Sequence, residues 1–160
     1  SAIKQFLMDV DWGDLDYLIV DLPPGTGDVQ LSLVQTVPLS GGVIVTMPQQ
    51  VSFDDAFRAV SMFKKMEVPI LGIVENMSYL EMEDGSLRRI FGEGGGEQLA
   101  QAAGVPLLSN IPLDENIRVG GDQGDPVVIA QPNSPGAKAM EELAQSVAAR
   151  MSMASYKSAE

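Results

Sequence analysis

A chain of 160 residues is one domain's worth of polypeptide, and 45% hydrophobic against 20% charged content is a globular composition, not a disordered one. Its net charge of −12, from 22 acidic and 10 basic residues, repels phosphate backbones and argues against nucleic-acid binding; Arg88-Arg89 is the only adjacent arginine pair. Cysteine and histidine are both absent, so this chain cannot supply thiolate or imidazole ligands, and oxygen-ligand metals such as Mg²⁺ remain.

The first apolar run, Tyr17-Leu18-Ile19-Val20, has β-type composition and ends at Asp21. A helix is expected over residues 29–37, with Asp28 as its N-cap. A second strand, Val43-Ile44-Val45-Thr46, follows Gly41-Gly42 and leads into Met47-Pro48. A helix over 52–66 opens with Ser52-Phe53-Asp54-Asp55, a capping-box pattern with Asp in place of Glu. It sets Phe53, Ala56, Phe57, Val60 and Phe63 on one stripe. A third strand over 69–74 ends at Glu75-Asn76.

Residues 78–95 are polar and rich in glycine, and read as a surface excursion. A short helix over 96–103 stops at Gly104, a C-cap signal. Val105-Pro106-Leu107-Leu108 with Ile111 is a weaker fourth strand. Residues 115–129 read as a second long loop, with Gly120-Gly121 and Gly124. Ser134-Pro135 opens a last helix to about Arg150, which leaves 151–160 as a flexible tail.

Apolar runs without alternation suit strands buried on both faces of a parallel sheet. Their alternation with helices predicts an α/β fold with a mostly parallel sheet over residues 1–150. No apolar run approaches the ~20 residues that span a bilayer, and the first five residues do not form a signal peptide. A soluble, cytoplasmic protein without membrane contact is therefore expected.

The strongest chemical signal is Asp21-Leu22-Pro23-Pro24-Gly25-Thr26-Gly27-Asp28 directly after the first strand. Open parallel sheets bind ligands beyond the carboxyl ends of their strands. An aspartate there can hold Mg²⁺, directly or through water, while Gly25 and Gly27 let backbone amides approach a phosphate. A strand-end aspartate standing alone would more often cap a strand; the whole octapeptide favours the metal site. Met62, Met66 and Met140 suit core filling better than a partner groove. Glu81, Glu83 and Asp84 lack calcium-loop spacing and read as solvated. With no histidine, Ser32, Ser52 and Ser78 cannot form a Ser-His triad.

At these residues the sequence resembles the Mrp/ApbC group of deviant-Walker P-loop ATPases, relatives of MinD and of the iron–sulfur scaffold NTPases. Further matches are Asp11-Trp12-Gly13 with Leu15-Asp16-Tyr17, and Pro38-Leu39-Ser40-Gly41 leading into Val45-Thr46-Met47-Pro48-Gln49. Others are Gly72-Ile73-Val74-Glu75-Asn76-Met77-Ser78-Tyr79, Ile90-Phe91-Gly92 through Gly94-Gly95-Gly96, and Ile111-Pro112-Leu113. The likeness reaches to about residue 150. It implies a three-layer P-loop NTPase fold that uses ATP and Mg²⁺.

By position, Asp21 resembles the Walker B aspartate, holding Mg²⁺ through water, and Gly25 the switch glycine that senses the γ-phosphate. Asn76 resembles the adenine-recognising asparagine, whose amide can both donate and accept; its plain alternative is a turn asparagine. Pro112 and Leu113 resemble the segment near the base, and the same resemblance implies that Gln49 and Asp28 lie near the phosphates.

Two departures qualify the likeness. The family's Gly-rich loop belongs upstream of residue 1, and no G-x-x-x-x-G-K-[ST] occurs here. The chain thus reads as the C-terminal part of such a domain, truncated at its N-terminus, that does not hydrolyse ATP alone and self-associates or is marginally stable. Many relatives also carry Cys-x-x-Cys after the Asn-Met-Ser-Tyr segment, where this chain has Leu80-Glu81-Met82-Glu83-Asp84-Gly85. It supplies no iron–sulfur ligand there, and the stretch reads as an acidic hairpin.

The resemblance implies an ATP-dependent homodimer that carries an iron–sulfur cluster to acceptor proteins. The alternative is a nucleotide-switched regulatory or partitioning-type protein without a cluster. An independent α/β binding domain is a third reading, disfavoured because the missing strand would leave apolar faces and edges open.

Overall fold

The computed structural model describes residues 2–22 and 27–157. A three-stranded parallel sheet, ordered β1-β2-β5, forms its centre, from β1 (Gly42–Thr46), β2 (Ile70–Glu75) and β5 (Leu107–Asn110). β2 is central and apolar up to its last residue, with Ile73 fully buried and Val74 nearly so, as the unalternated run predicted.

Successive residues feed opposite faces. Ile44 and Ile73 join a core with Ala56, Val60 and Phe63 of α3 (Gln50–Lys65) and Leu99, Ala100 and Ala103 of α4 (Gly95–Ala103). Val43 and Val74 instead face Ala139, Met140 and Leu143 of α7 (Pro135–Lys157). Helices therefore cover both faces, giving the three-layer α/β arrangement expected. Met62, Met66 and Met140 all pack against these clusters, as core filler should.

The stripe of α3 is realised at Ala56, Val60 and Phe63, whereas Phe57 is exposed and stacks on Phe53 with ring centroids 6.0 Å apart. The capping box is not used. α3 begins two residues early with Gln49 as cap, whose carbonyl accepts from the Ser52 and Phe53 amides at 3.0 and 3.2 Å. Likewise α2 (Asp28–Thr36) takes Gly27, in extended conformation, as its cap in place of Asp28. Gly104 closes α4 in the left-handed conformation, as expected.

Three further sequence expectations are corrected. Residues 11–22 form no strand: Tyr17, Leu18, Ile19 and Val20 are all exposed, and only Leu22 packs on the core. β-propensity expresses itself only where a ladder partner and a buried face exist, and this run has neither among the described residues. Upstream of it, Asp11-Trp12-Gly13 forms a local turn, with Gly13 N donating to Asp11 Oδ1 at 3.0 Å and Trp12 Nε1 to the Phe6 carbonyl of α1 (Ala2–Met8) at 3.1 Å.

The supposed loop over 115–129 is helical, as α5 (Glu115–Gln123) and α6 (Val127–Ala130). Asp114 caps α5, accepting from Asn116 N at 2.8 Å, while its other oxygen accepts from Gly136 N of α7 at 3.0 Å. Of the glycines that hid this helix, Gly120 serves packing, since a Cβ there would stand 2.4 Å from the Asp125 carbonyl oxygen. Finally, α7 continues seven residues beyond Arg150, to Lys157. The excursion over 78–95 does contain a short hairpin, β3 (Leu80–Glu81) paired antiparallel with β4 (Leu87–Arg88).

Candidate functional site at the carboxyl edge of the sheet

β1, β2 and β5 are parallel, so their carboxyl ends meet at one edge. There β1 leads into Met47-Pro48-Gln49, β2 into Asn76-Met77-Ser78, and β5 into Ile111-Pro112-Leu113. The backbone bonds these segments to one another. Asn76 N donates to the Thr46 carbonyl at 2.8 Å, and Ile111 N to the Glu75 carbonyl at 2.8 Å. Ser78 N donates to Ile111 O at 2.9 Å and Leu113 N to Tyr79 O at 2.7 Å.

This ladder joins the segment after β2, which carries Asn76, to the segment after β5, which carries Pro112 and Leu113. Asn76 is half-buried, Pro112 buried and Leu113 half-buried. Asn76 Oδ1 accepts from Met77 N at 2.9 Å, and among the described residues its Nδ2 donors and second Oδ1 lone pair have no hydrogen-bond partner. Gln49 lies three residues beyond Thr46, exposed, with its backbone capping α3. Asp21 is exposed, in an irregular segment anchored by its neighbour Leu22. Asp28 begins α2. Gly25 lies outside the described residues.

A polar group that the sequence reading left without a role sits at the centre of this edge. Glu75, last in β2, is 2% exposed, and its Oε2 accepts from Gly96 N at 2.6 Å. The hydroxyl of Ser78, fully buried, lies 2.8 Å from Glu75 Oε1, 2.9 Å from the Glu75 carbonyl and 3.3 Å from Asn110 Oδ1. Every buried side-chain polar atom among the described residues has a partner. The available signal was a carboxylate closing a strand that is otherwise apolar.

The glycines of 94–96 allow this closeness. A Cβ at Gly95 would stand 2.6 Å from the Pro48 carbonyl oxygen, and one at Gly96 2.6 Å from Glu75 Cβ. The start of α4 is thereby pressed onto both the β1 turn and the end of β2. Beside it, a cleft of about 430 Å³ is lined by Glu75, Asn110, Arg89, Glu93, Glu97 and Gln98. Arg89 and Glu93 form a surface ion pair at 3.0 Å.

Among the described residues no three Asp, Glu, His or Cys side chains group to hold a metal. Asp21 is a single hard oxygen donor. That fits Mg²⁺, which keeps several waters and takes only one or two protein carboxylates beside substrate phosphates. It does not fit an all-protein cage. Iron–sulfur clusters take thiolate or imidazole ligands, which no residue of this chain offers. Among the described residues no helix is long and apolar enough to cross a membrane.

Known proteins resemble the chain in both sequence and fold. A family model described as ParA, NUBPL iron-transfer P-loop NTPase, matches residues 1–148. The iron-sulfur cluster carrier protein of Synechocystis sp. is 54% identical over 156 residues, covering 96% of this chain and 44% of that protein. The mouse (Mus musculus) iron-sulfur cluster transfer protein NUBPL is 47% identical over 152 residues, covering 94% and 48%. The chain therefore spans about half the length of the curated relatives it matches.

Among solved structures, a nucleotide-binding protein from Archaeoglobus fulgidus in complex with ADP superposes with a TM-score of 0.71 at 36% identity, covering 84% of this chain and 54% of that one. The septum site-determining protein MinD from Pyrococcus horikoshii, complexed with Mg-ADP, gives 0.70 at 27% identity, covering 91% and 55%.

Proposed function

The chain belongs to the ParA family of NUBPL-type iron-transfer P-loop NTPases, and on that premise we propose that it forms the base-reading and metal-side part of an ATP-dependent iron–sulfur cluster carrier. The observation that supports the reading is the hydrogen-bonded edge at the carboxyl end of a parallel sheet that joins the segment carrying Asn76 to the segment carrying Pro112 and Leu113. ADP in the Archaeoglobus protein and Mg-ADP in MinD support a nucleotide ligand of this class.

In this reading Asn76 pairs with the N6/N7 edge of adenine, and Pro112 and Leu113 pack against the ring. Asp21 would hold Mg²⁺ through water, and the ion would neutralise phosphate charge when bound. Gly25 supplies the switch amide to the γ-phosphate, and Gln49 and Asp28 stand near the phosphates. Positioning and electrostatics do the chemistry, as in phosphoryl transfer generally. The protein acts in the cytoplasm as a homodimer that delivers its cluster to acceptor proteins.

The absence of cysteine and histidine from the chain favours a second reading, a nucleotide-switched regulatory or partitioning-type protein without a cluster. Anaerobic reconstitution of the full-length protein with iron and sulfide separates the two. A carrier develops a stable cluster absorbance and transfers it to an apo-acceptor; a switch develops none, yet binds its partner only with ATP.

A further inference from the structure

Asn76 is presented by a four-residue turn, 75–78, in which Met77 takes a left-handed backbone with φ 53°. Residues other than glycine hold such a conformation only where their surroundings impose it. Here the closure comes from one buried side chain. The Ser78 hydroxyl folds back onto the Glu75 carbonyl and Oε1, at 2.9 and 2.8 Å, bridging the turn from its last residue to its first. The other carboxylate oxygen, Oε2, is fixed at 2.6 Å by Gly96 N at the start of α4. Glu75 therefore ties a strained turn on the strand edge to a helix 21 residues away in sequence, and it does so with 2% of its surface exposed.

We infer that Glu75 is the positioning residue of the base-reading edge: through Ser78 and Gly96 it holds the turn in the one shape that offers Asn76 to adenine. Glu75 itself touches no nucleotide in this scheme. The inference rests on the reading of Asn76 given above. A carboxylate is the suitable side chain, because it accepts from a backbone amide and a hydroxyl at once, each from a different oxygen. Glutamine keeps one good acceptor and turns its amide nitrogen toward the other donor, so it preserves the shape and weakens the tie.

The test is equilibrium binding of ATP, GTP and inorganic tripolyphosphate to the full-length protein and its Glu75→Gln, Glu75→Ala and Ser78→Ala variants. The expected result is a fall in the preference for ATP over GTP, about tenfold in Glu75→Gln and Ser78→Ala and larger in Glu75→Ala, with tripolyphosphate affinity unchanged. Equal losses for ATP and tripolyphosphate, or an unaltered preference in folded variants, would overturn the inference and reduce Glu75 to a general structural role. Ser78→Ala removes a single oxygen and keeps the test decisive should the Glu75 variants fail to fold. A wild-type protein with no preference for ATP would overturn the base-reading assignment of Asn76 and this inference together, a result separable from a change seen only in the variants.

Discussion

Glu75 Oε2 accepts a 2.6 Å hydrogen bond from the amide of Gly96, so the end of the central strand and the first turn of α4 share one buried contact. Carboxylates and helix N-termini are complementary in charge, and Gly96 makes the approach sterically open. A Cβ there would lie 2.6 Å from Glu75 Cβ and 3.1 Å from Leu107 Cδ1. Alanine ordinarily favours a helix over glycine by about 1 kcal/mol, but crowding in a packed interior costs about 1–3 kcal/mol. Gly96→Ala is therefore expected to lower the urea midpoint; a raised midpoint would mean that α4 moves away at no cost.

The cores on the two faces make a simpler expectation. Leu99 of α4 is fully buried, whereas Leu87 of the β-hairpin is 52% exposed. Leu99→Ala should cost about 2–5 kcal/mol through lost burial and a residual cavity. Leu87→Ala should stay within about 0.5 kcal/mol. Chemical denaturation of the two variants side by side checks both, and equal losses would contradict the assignment of the core.

Asp21 is exposed and lies in no strand, so its removal should leave stability within about 0.5 kcal/mol. Its expected effect is on turnover. The 160-residue chain alone should show no ATP hydrolysis. In the full-length protein Asp21→Ala should reduce kcat on the order of 10²-fold. Hydrolysis by the isolated chain that Asp21→Ala abolishes would show that it needs no further phosphate-binding loop.

Tyr79 supplies a pH signature. Burial first, then the negative charges of Glu81 and Glu142, hold its phenol above the ordinary value of 10.0. The neutral form is thus favoured by folding. The corresponding stability is fully present below pH 10.0 and is lost as pH rises through the higher folded value. Denaturation midpoints measured between about pH 9 and 11.5 should fall more steeply for the native sequence than for Tyr79→Phe. Identical slopes would remove Tyr79 from the account.

One edge of the sheet invites association. β1 ends the strand order, and Val45 on it is 58% exposed. Unpaired apolar edges template pairing between chains. Sedimentation velocity should detect self-association of the 160-residue chain, weakened by Val45→Lys, while a monodisperse monomer at high concentration would speak against it.

Much of this molecule was legible from local pattern. The unalternated run of β2 announced a central buried strand, and the spacing of Ala56, Val60 and Phe63 announced the inner face of α3. Gly104 marked the end of α4. These features depend on neighbours within a few residues, and so does the motif from Asp21 to Asp28 that first suggested a metal and phosphate site. Asn76, Pro112 and Leu113 were singled out by resemblance, and their place at one edge followed from a parallel sheet whose strands end together.

What the sequence could not decide was pairing and close approach. Tyr17-Leu18-Ile19-Val20 has the composition of a strand, yet a strand exists only where another backbone accepts its hydrogen bonds, and here none among the described residues does. Gly120 and Gly121 weaken helix propensity, yet α5 forms because Gly120 must admit the Asp125 carbonyl and Asp114 ties its start to α7. Glu75 looked like the polar end of a strand. Only the tertiary structure, by bringing Gly96 and Ser78 within hydrogen-bond distance, made it the buried tie between the end of β2 and α4. The sequence by itself determined which segments could be strands, helices and chemistry; contacts between distant residues determined which of them were.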